Sequence, residues 1–312
     1  MVILLVNRAQ DHHGVGATLD HLHRQGADVA HLVTDFFRPD QIREEDGALS
    51  IDLENRRLKV QDIDALWYRR MSAPPVARRC LIELLNAIPC FQLDPWLSIR
   101  RADNKLLQAR IAMEEGLYVP ATLVSSNPDE VRAFAANFPE GVVVKTLASF
   151  AVQRQDEEQV VFTTVLRPED FEDLSGLSVS PGFFQQRVLA RREYRVTVVG
   201  QRLFVGVLQT NPAEVDWRRE AQQRERDWRA GSLPEPVQAA LLRVADRLGL
   251  NYGAADILED SEGRYWFLEI NPAGEWGWMY GVCGHPIPEA IAELLLGRAP
   301  RRSAGLPAWK AR

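Results

Sequence analysis

Hydrophobic and polar residues along the first part of this chain form the pattern of alternating strands and helices. Residues 2–6 are a continuous apolar run, as expected of a strand that is covered on both faces. Residues 15–25 carry apolar side chains at helical spacing and end before Gly26, a common helix stop. Residues 28–33 are predicted to form the second strand. This order predicts a β-α-β unit, the opening of an open α/β layer.

The same patterns predict regular elements through the rest of the chain. Apolar and polar residues alternate over 48–60 around Asn55-Arg56, which indicates a hairpin. Residues 98–116 are predicted to form one amphipathic helix that ends at Gly116. The remaining predicted strands are 64–68, 91–93, 141–145, 160–165, 182–189, 192–200 and 201–209, and the remaining predicted helices are 76–87, 129–137, 237–249 and 287–296.

The most informative stretch is a predicted hairpin near the carboxyl end, with strands over 255–259 and 265–270 around the polar turn 260–263. Side chains alternate along a strand, so Glu269 and Asn271 face the same way, and Asp256 on the partner strand lies opposite. Three oxygen ligands in one place suit Mg²⁺. The alternative is a surface hairpin with solvated acids, but an unpaired charge inside an apolar strand is costly.

Composition narrows the class of protein. The 312 residues are 46% hydrophobic and 26% charged, which is typical of an ordinary globular protein of two to three subdomains. The net charge of −6 argues against nonspecific nucleic-acid binding. No stretch is long enough for a membrane span, and the three cysteines lack metal spacing. We therefore expect a soluble cytoplasmic protein with reduced thiols, and no nucleic-acid or membrane partner.

Several basic residues stand at positions where ligands bind. Lys145 ends a buried apolar run, so it needs a charged partner or a ligand. Arg69 and Arg70 follow the predicted strand 64–68 and are candidates for holding an acidic substrate, with a solvated pair as the alternative. Asp11-His12-His13 is interpreted as a solvated loop because no further ligand is in sight.

Asp256 followed by Glu269-Ile-Asn271-Pro resembles the metal-binding end of the ATP-grasp ligases. The wider run Phe267-Leu-Glu-Ile-Asn-Pro-Ala-Gly-Glu-Trp-Gly-Trp278 is most similar to the microviridin-type peptide maturases, also called graspetide synthetases. The resemblance implies an α/β fold in which an N-terminal open α/β (pre-ATP-grasp) domain precedes a two-lobed α+β ATP-grasp domain. The implied units are 1–97 for the N-terminal domain, 98–190 for the small lobe, 191–300 for the C-terminal lobe with the metal site, and 301–312 for a tail.

The resemblance also implies roles for individual residues. Lys105 and Lys145 would contact the ATP phosphates, and the adenine hinge would consist of Gln186, Arg187 and Val188. Glu193 would bind the ribose or base, and the catalytic candidates are Arg195, Arg218 and Asp216. The two arginines would meet the phosphate, the reacting carboxylate or the acyl phosphate, and Asp216 would orient Arg218 or a nucleophile. One departure from the family pattern is the segment 146–159, which contains no glycine where most ATP-grasp ligases carry a glycine-rich loop.

The implied function is that of an ATP- and Mg²⁺-dependent macrocyclase, and the resemblance to the family suggests a homodimer. It would activate Asp or Glu side chains of a ribosomal precursor peptide (a leader plus an acidic core) as acyl phosphates, and join them to Ser/Thr or Lys side chains. An acidic core would explain the paired arginines at 69–70, 191–192 and 218–219. Two alternatives remain: a carboxylate–amine ligase for small molecules or a protein terminus, and a non-catalytic peptide-binding module.

Overall fold

The amino-terminal unit is a parallel sheet with a small antiparallel sheet beside it. The structure, a computed structural model, describes residues 1–11, 15–145, 163–210 and 227–302, and the backbone alone of 151–154 and 157–160. The elements of this unit are β1 (Val2–Asn7), α1 (Val15–Arg24), β2 (Asp28–Val33), β3 (Ile42–Glu45), β4 (Ala48–Asp52), β5 (Arg57–Lys59), β6 (Ala65–Tyr68), α2 (Pro75–Ala87) and β7 (Phe91–Gln92). The parallel sheet has the order β2-β1-β6-β7. The chain therefore leaves β1 on one side and returns on the other, which makes the carboxyl ends of β1 and β6 a topological switch point.

Two short helices replace the single helix predicted over 98–116, so that prediction was wrong in its extent. They are α3 (Trp96–Ala102) and α4 (Lys105–Glu114). Asn104 lies between them and its Oδ1 accepts the N–H of Leu107 at 3.1 Å. An asparagine side chain that accepts an N–H of the first turn is a helix N-cap. The local hydrogen bonding of Asn104 therefore interrupts a continuous apolar pattern.

The small lobe is a four-stranded antiparallel sheet with one helix on it. Its elements are β8 (Thr122–Ser125), α5 (Pro128–Ala135), β9 (Val142–Lys145), β10 (Ala151–Arg154), β11 (Glu157–Val160), β12 (Thr164–Val165) and β13 (Gly182–Gln186). The sheet order is β12-β9-β13-β8, and β10 pairs with β11 as a separate hairpin. Of the strand predicted over 160–165, Val160 ends β11 and Thr164–Val165 form β12, whereas 161–162 lie outside the described residues.

The C-terminal lobe is a five-stranded antiparallel sheet of order β16-β15-β14-β17-β18. Its elements are β14 (Ala190–Val199), β15 (Arg202–Gln209), β16 (Arg229–Ala230), α6 (Glu235–Leu248), β17 (Tyr252–Asp260), β18 (Tyr265–Asn271), α7 (Gly277–Cys283) and α8 (Ile287–Leu295). The hairpin predicted over 255–270 is β17–β18, whereas α7 was not predicted. Among the described ranges, no helix has both the length and the apolar character needed to cross a membrane.

The two faces of this sheet have different environments. On one face Val196, Val198 and Ile257 pack with residues of α4 and α6 in a continuous buried cluster. The other face is apolar at one end only, where Val199 and Tyr252 pack against α8 and the amino-terminal unit. Farther along the same strands this second face carries charged side chains. The apolar end fixes the sheet against its neighbours, and the charged end forms the candidate site.

Asp94 joins the amino-terminal unit to the start of β17. Its Oδ1 accepts the N–H groups of Asn251 at 2.6 Å and Tyr252 at 3.2 Å. Burial raises the pKa of Asp94 well above the ordinary value of 3.8, although these two N–H groups act in the opposite direction. The folded protein therefore favours the protonated carboxyl of this residue.

That shift predicts the sign of a pH effect on stability. Because the folded-state pKa of Asp94 is raised, its contribution is complete below the unfolded pKa and is lost as pH rises through the folded pKa. Asp94→Asn keeps an acceptor oxygen and does not titrate. We expect the free energy of unfolding of the variant to increase relative to that of the wild type from about pH 4 upward. Urea unfolding of both proteins between pH 4 and 8 measures this difference, and a constant difference would contradict it.

Candidate active site

The charged end of the C-terminal sheet consists of one row of side chains across three neighbouring strands. Arg195 on β14 is paired in register with Asp256 on β17, and Asp256 with Glu269 on β18. Directly paired residues project to the same face, with Cβ atoms about 4.5–5.5 Å apart. Asn271 lies two positions beyond Glu269 and is paired with Ala254, so it belongs to the same face.

Two cations compensate the adjacent carboxylates. Arg195 Nη1 lies 2.7 Å from Asp256 Oδ1, and Lys105 Nζ lies 3.2 Å from Glu269 Oε2. Like charges placed opposite each other on two strands destabilise a sheet, so these contacts offset the repulsion between the two acids. Lys105 is the first residue of α4, which packs on β18. The helix break at Asn104 therefore brings Lys105 to the carboxylates.

The residues predicted to hold Mg²⁺ fit that ion in their chemistry. Asp256 and Glu269 supply two carboxylates on one face, and Asn271 supplies an amide oxygen that already accepts the N–H of Ala273 at 2.9 Å. Over the ranges described, no group of three His, Cys, Asp or Glu side chains could hold a metal. Mg²⁺ in phosphate-transfer sites typically uses one or two carboxylates plus substrate phosphates, which matches this donor set.

The loop that follows β18 lies against the sheet beside this row. Tyr252 Oη donates to the carbonyl oxygen of Gly274 at 2.6 Å, and Arg195 Nη2 donates to that of Glu275 at 3.1 Å. A Cβ atom on Gly274 would lie 2.4 Å from the Cβ of Ala254 and 2.9 Å from Arg195 Nη2. Only glycine permits this approach, so the loop position depends on residue 274.

Gly274→Ala is therefore expected to displace the loop that begins at Asn271. Overpacking of this kind costs about 1–3 kcal/mol of stability, and the shift should raise the Mg²⁺ concentration needed for half-maximal ADP release. Thermal unfolding and a Mg²⁺ titration of ADP release measure the two effects. The matched control is Gly281→Ala in α7, where an added Cβ meets nothing within 4 Å. Equal behaviour of the two variants would contradict the role assigned to Gly274.

The small lobe carries the other lysine. Lys145 is paired with Phe183, and Val143 with Gln185, so these four residues share one face of the sheet. The opposite face carries Phe184, which packs with α5. Gln185 was not among the predicted site residues, although strand alternation places it on the face of Lys145. Its side-chain Nε2 donates to Thr122 Oγ1 at 3.0 Å.

The predicted adenine hinge connects β13 to β14 and consists of Gln186, Arg187 and Val188. The N–H of Gln186 donates to Ala121 O at 2.9 Å, and that of Arg187 donates to Gly141 O at 3.0 Å. A contact between this segment and a base would therefore use backbone groups other than these two N–H groups. The assignment of the three residues to adenine remains a prediction.

The segment 118–121 connects the hinge to the C-terminal sheet through backbone contacts at both ends. Tyr118 forms a bridge with Trp266 of β18, and its carbonyl oxygen accepts the N–H of Phe267 at 2.8 Å. Ala121, three residues later, contacts Gln186. Three residues span at most about 10 Å, so the end of β13 lies near β18. Glu193 lies on the same face of β14 as Arg195, two positions away.

Several predicted residues lie outside the part of the chain that the structure describes. Asp216 and Arg218 fall in 211–226, His12 and His13 fall in 12–14, and the side chains of the glycine-free segment are likewise outside the described residues.

Arg191 and Arg192 lie within the described residues, and both contact the buried carboxylate of Glu259. These contacts do not support the interpretation of the two arginines as a substrate-binding feature. Burial acts to raise the pKa of Glu259, but hydrogen bonds from Arg191 and Tyr194 outweigh it and hold that pKa below its ordinary value.

The arginines at the end of β6 are part of the site region, but not as a solvated pair. Arg69 is buried and its Nε donates to Asp11 Oδ2 at 2.8 Å. Arg70 donates to the carbonyl oxygen of Ala273 at 2.9 Å and forms an ion pair with Glu275. Asp11 and Glu275 were not predicted as site residues. The only sequence signal for this cluster was the position of Arg69 and Arg70 after a strand.

A family model and several solved structures match this chain. Residues 2–94 match the family model of the MvdD pre-ATP grasp domain. Macrocyclase MdnC from Microcystis aeruginosa MRC, solved with its precursor peptide MdnA, is 31% identical with a TM-score of 0.85, over 96% of this chain and 100% of MdnC. The search of curated proteins found no match.

Two further solved structures are similar over nearly the whole chain. A RiPP-associated ATP-grasp ligase from Chryseobacterium gregarium, in complex with ADP and a leader and core peptide, is 27% identical with a TM-score of 0.88, covering 97% of this chain and 98% of that one. Macrocyclase MdnB from Microcystis aeruginosa MRC is 27% identical with a TM-score of 0.78, covering 95% and 99%. The fold and these matches define an enzyme of the ATP-grasp ligase class. Within that class, the chain belongs to the graspetide branch, the macrocyclases of ribosomally made peptides.

Proposed function

We propose that this enzyme uses ATP and Mg²⁺ to form macrocycles in a ribosomal precursor peptide that has a leader and an acidic core. It would convert Asp or Glu side chains to acyl phosphates and join them to Ser or Thr hydroxyls as ω-esters, or to Lys amines as ω-amides. The observation that carries the proposal is the row Arg195, Asp256 and Glu269 on one sheet face. Two relatives also support the proposal. The structure of MdnC contains a precursor peptide, and that of the C. gregarium ligase contains ADP and a leader and core peptide.

Phosphate transfer requires that negative charge on ATP be held and compensated. Asp256, Glu269 and Asn271 would hold Mg²⁺, and the bound ion would supply positive charge that compensates the negative charge on the phosphates. Lys105, already at this row, would approach the same phosphates, and Lys145 would approach them from the small lobe. ATP would therefore lie between the two sheets.

Arg195 is proposed to act at the acyl phosphate. Its planar fork binds Asp256 with one nitrogen and the backbone of Glu275 with another, so its orientation is fixed before substrate arrives. A fixed guanidinium stabilises negative charge at an acyl phosphate and at the tetrahedral centre formed by the attacking hydroxyl or amine. Arg218 is proposed to assist there and Asp216 to orient it. Glu193, on the same strand face as Arg195, would contact the ribose or base.

Dependence of ADP release on the peptide tests this proposal. We expect Mg²⁺-ATP to yield ADP at a substantial rate only when the acidic peptide encoded beside the gene is added. The control peptide has every Asp and Glu replaced by Asn and Gln, and it should support no release because it offers no carboxylate. ADP release driven equally by free amino acids would favour a small-molecule ligase. Peptide binding without ADP release would favour a non-catalytic module.

A further inference from the structure

The carboxyl ends of β1 and β6 hold a compact group of charges at the switch point of the parallel sheet. Asp11 follows β1, and Arg69 and Arg70 follow β6. Glu275, from the loop after β18, completes the group from the other side. Crevices at such switch points are where open α/β sheets bind ligands. The group is thus formed jointly by the amino-terminal unit and the loop next to the candidate active site.

The hydrogen bonds of this group are incomplete at its buried atoms. The side chains of Arg69 and Asp11 are 3% and 0% exposed. Within the described part of the chain, Arg69 Nη2, Asp11 Oδ1 and Glu275 Oε2 have no hydrogen-bond partner. Arg69 Nη2 and Glu275 Oε2 face each other at 3.7 Å, too far for a hydrogen bond. A buried guanidinium donor without an acceptor is costly, and it indicates a site for an oxyanion that fits better than Glu275 does.

The Glu275 carboxylate can leave without releasing its loop. The loop backbone is held by three separate donors: Tyr252 to Gly274 O, Arg195 to Glu275 O, and Arg70 to Ala273 O. The Glu275 side chain is 36% exposed and that of Arg70 is 28% exposed, so neither side chain is fully enclosed by the protein. Exchange of one carboxylate for another on Arg70 also leaves the charge of the group unchanged.

We propose that Arg70 and Arg69 form a subsite for a side-chain carboxylate of the substrate, and that Glu275 occupies this subsite until the substrate carboxylate replaces it. This deepens the proposed function and rests on its acidic substrate. The occupant is a carboxylate because arginine is donor-only and its present partner is a carboxylate. One residue, Arg195, separates the subsite from Asp256, since it contacts both Asp256 and the Glu275 backbone. A carboxylate held on Arg70 therefore lies beside the site of phosphate transfer.

Binding without turnover tests the subsite. The probe is the fluorescein-labelled acidic peptide, and its dissociation constant is measured by anisotropy in Mg²⁺-ADP. Arg70→Gln should weaken binding about tenfold or more, the effect of losing a charge-assisted hydrogen bond. Glu275→Gln should strengthen binding about threefold or more because it removes the internal competitor. Weaker binding by Glu275→Gln would overturn the proposal, since it would make Glu275 a purely structural residue.

A double-mutant cycle separates exchange from a general change in local charge. In the Arg70→Gln background, Glu275→Gln should no longer improve binding. If Glu275→Gln acted only by removing a negative charge that repels the acidic peptide, the improvement would persist in this background. Glu293→Gln is the control: Glu293 forms an exposed ion pair with Arg202 at 3.0 Å, and loss of this pair should leave the dissociation constant unchanged. If Arg70→Gln fails to fold, Arg70→Lys replaces it, because lysine keeps the charge but cannot serve two acceptors in the same fork.

A small probe keeps this proposal separate from the proposed function. Glutarate carries the carboxylate but cannot form a ring. It should raise the thermal unfolding temperature of the wild type, raise that of Glu275→Gln more, and leave that of Arg70→Gln unchanged. This result can hold even if no peptide is cyclised. Equal shifts in all three proteins would overturn the subsite, whatever the outcome with peptide.

Discussion

Glu269→Gln is expected to reduce ADP release by more than about 100-fold at saturating Mg²⁺ while the fold remains intact. The substitution keeps the shape of the side chain and removes one of the two carboxylates that would hold the metal. Changes in residues that only support metal ligands cost about 10–100-fold, so loss of a ligand charge should cost more. The measurement is ADP release with the acidic peptide, together with the thermal unfolding temperature.

The same hairpin offers a matched control for Glu269. Glu262 lies in the turn between β17 and β18, exposed, with its carboxylate 3.1 Å from Arg264. Glu262→Gln removes the same charge from the same hairpin at its far end and should leave ADP release unchanged. Near-normal turnover by Glu269→Gln would show that the carboxylate of Glu269 does not hold the metal.

Arg195→Lys is expected to lower kcat for ADP release about 10²–10³-fold, the usual effect of removing one fixed donor from a site of developing charge. Lysine keeps the positive charge but cannot bind Asp256 and the Glu275 carbonyl in one fork. We also expect the Mg²⁺ requirement to rise, since Asp256 loses its 2.7 Å partner. Steady-state kinetics at several Mg²⁺ concentrations separate the two effects.

Arg202→Lys is the control for Arg195. Arg202 begins β15, the strand beside β14, and its ion pair with Glu293 is exposed to solvent. Exposed pairs contribute about 0–1 kcal/mol, so this variant should match the wild type in both kcat and stability. A loss confined to KM in Arg195→Lys, with kcat unchanged, would show that Arg195 binds substrate but does not act on the reacting centre.

The sequence predicted the fold best where a local pattern and the tertiary environment agree. The hairpin β17–β18 was found because apolar alternation, a polar turn and acids within apolar strands all occur within about twenty residues. The strand alternation around Glu269 and Asn271 also predicted their common face. The helix over 98–116 failed because apolar spacing continues through 103–104, while the side chain of Asn104 caps a new helix there.

Other parts of the site depend on contacts between distant segments, which periodicity does not report. Arg70 and Glu275 are 205 positions apart, and only folding brings the end of β6 to the loop after β18. The same applies to Lys105 and Glu269, whose contact depends on how α4 packs on the sheet. Gln185 was not predicted because the resemblance implies a role for Gln186 instead. Strand alternation places Gln185 on the face of Lys145.

We predict that this ATP-grasp ligase closes rings in an acidic peptide, and the mass of the peptide product tests this claim. The peptide is incubated with enzyme and Mg²⁺-ATP, and its mass is compared with that of a sample without ATP. Each ring formed removes the mass of one water, in proportion to the ADP released, and hydroxylamine opens ester rings but leaves amide rings intact. We predict loss of one or more waters that depends on ATP and is abolished in Glu269→Gln. An unchanged peptide mass despite ADP release would contradict the claim.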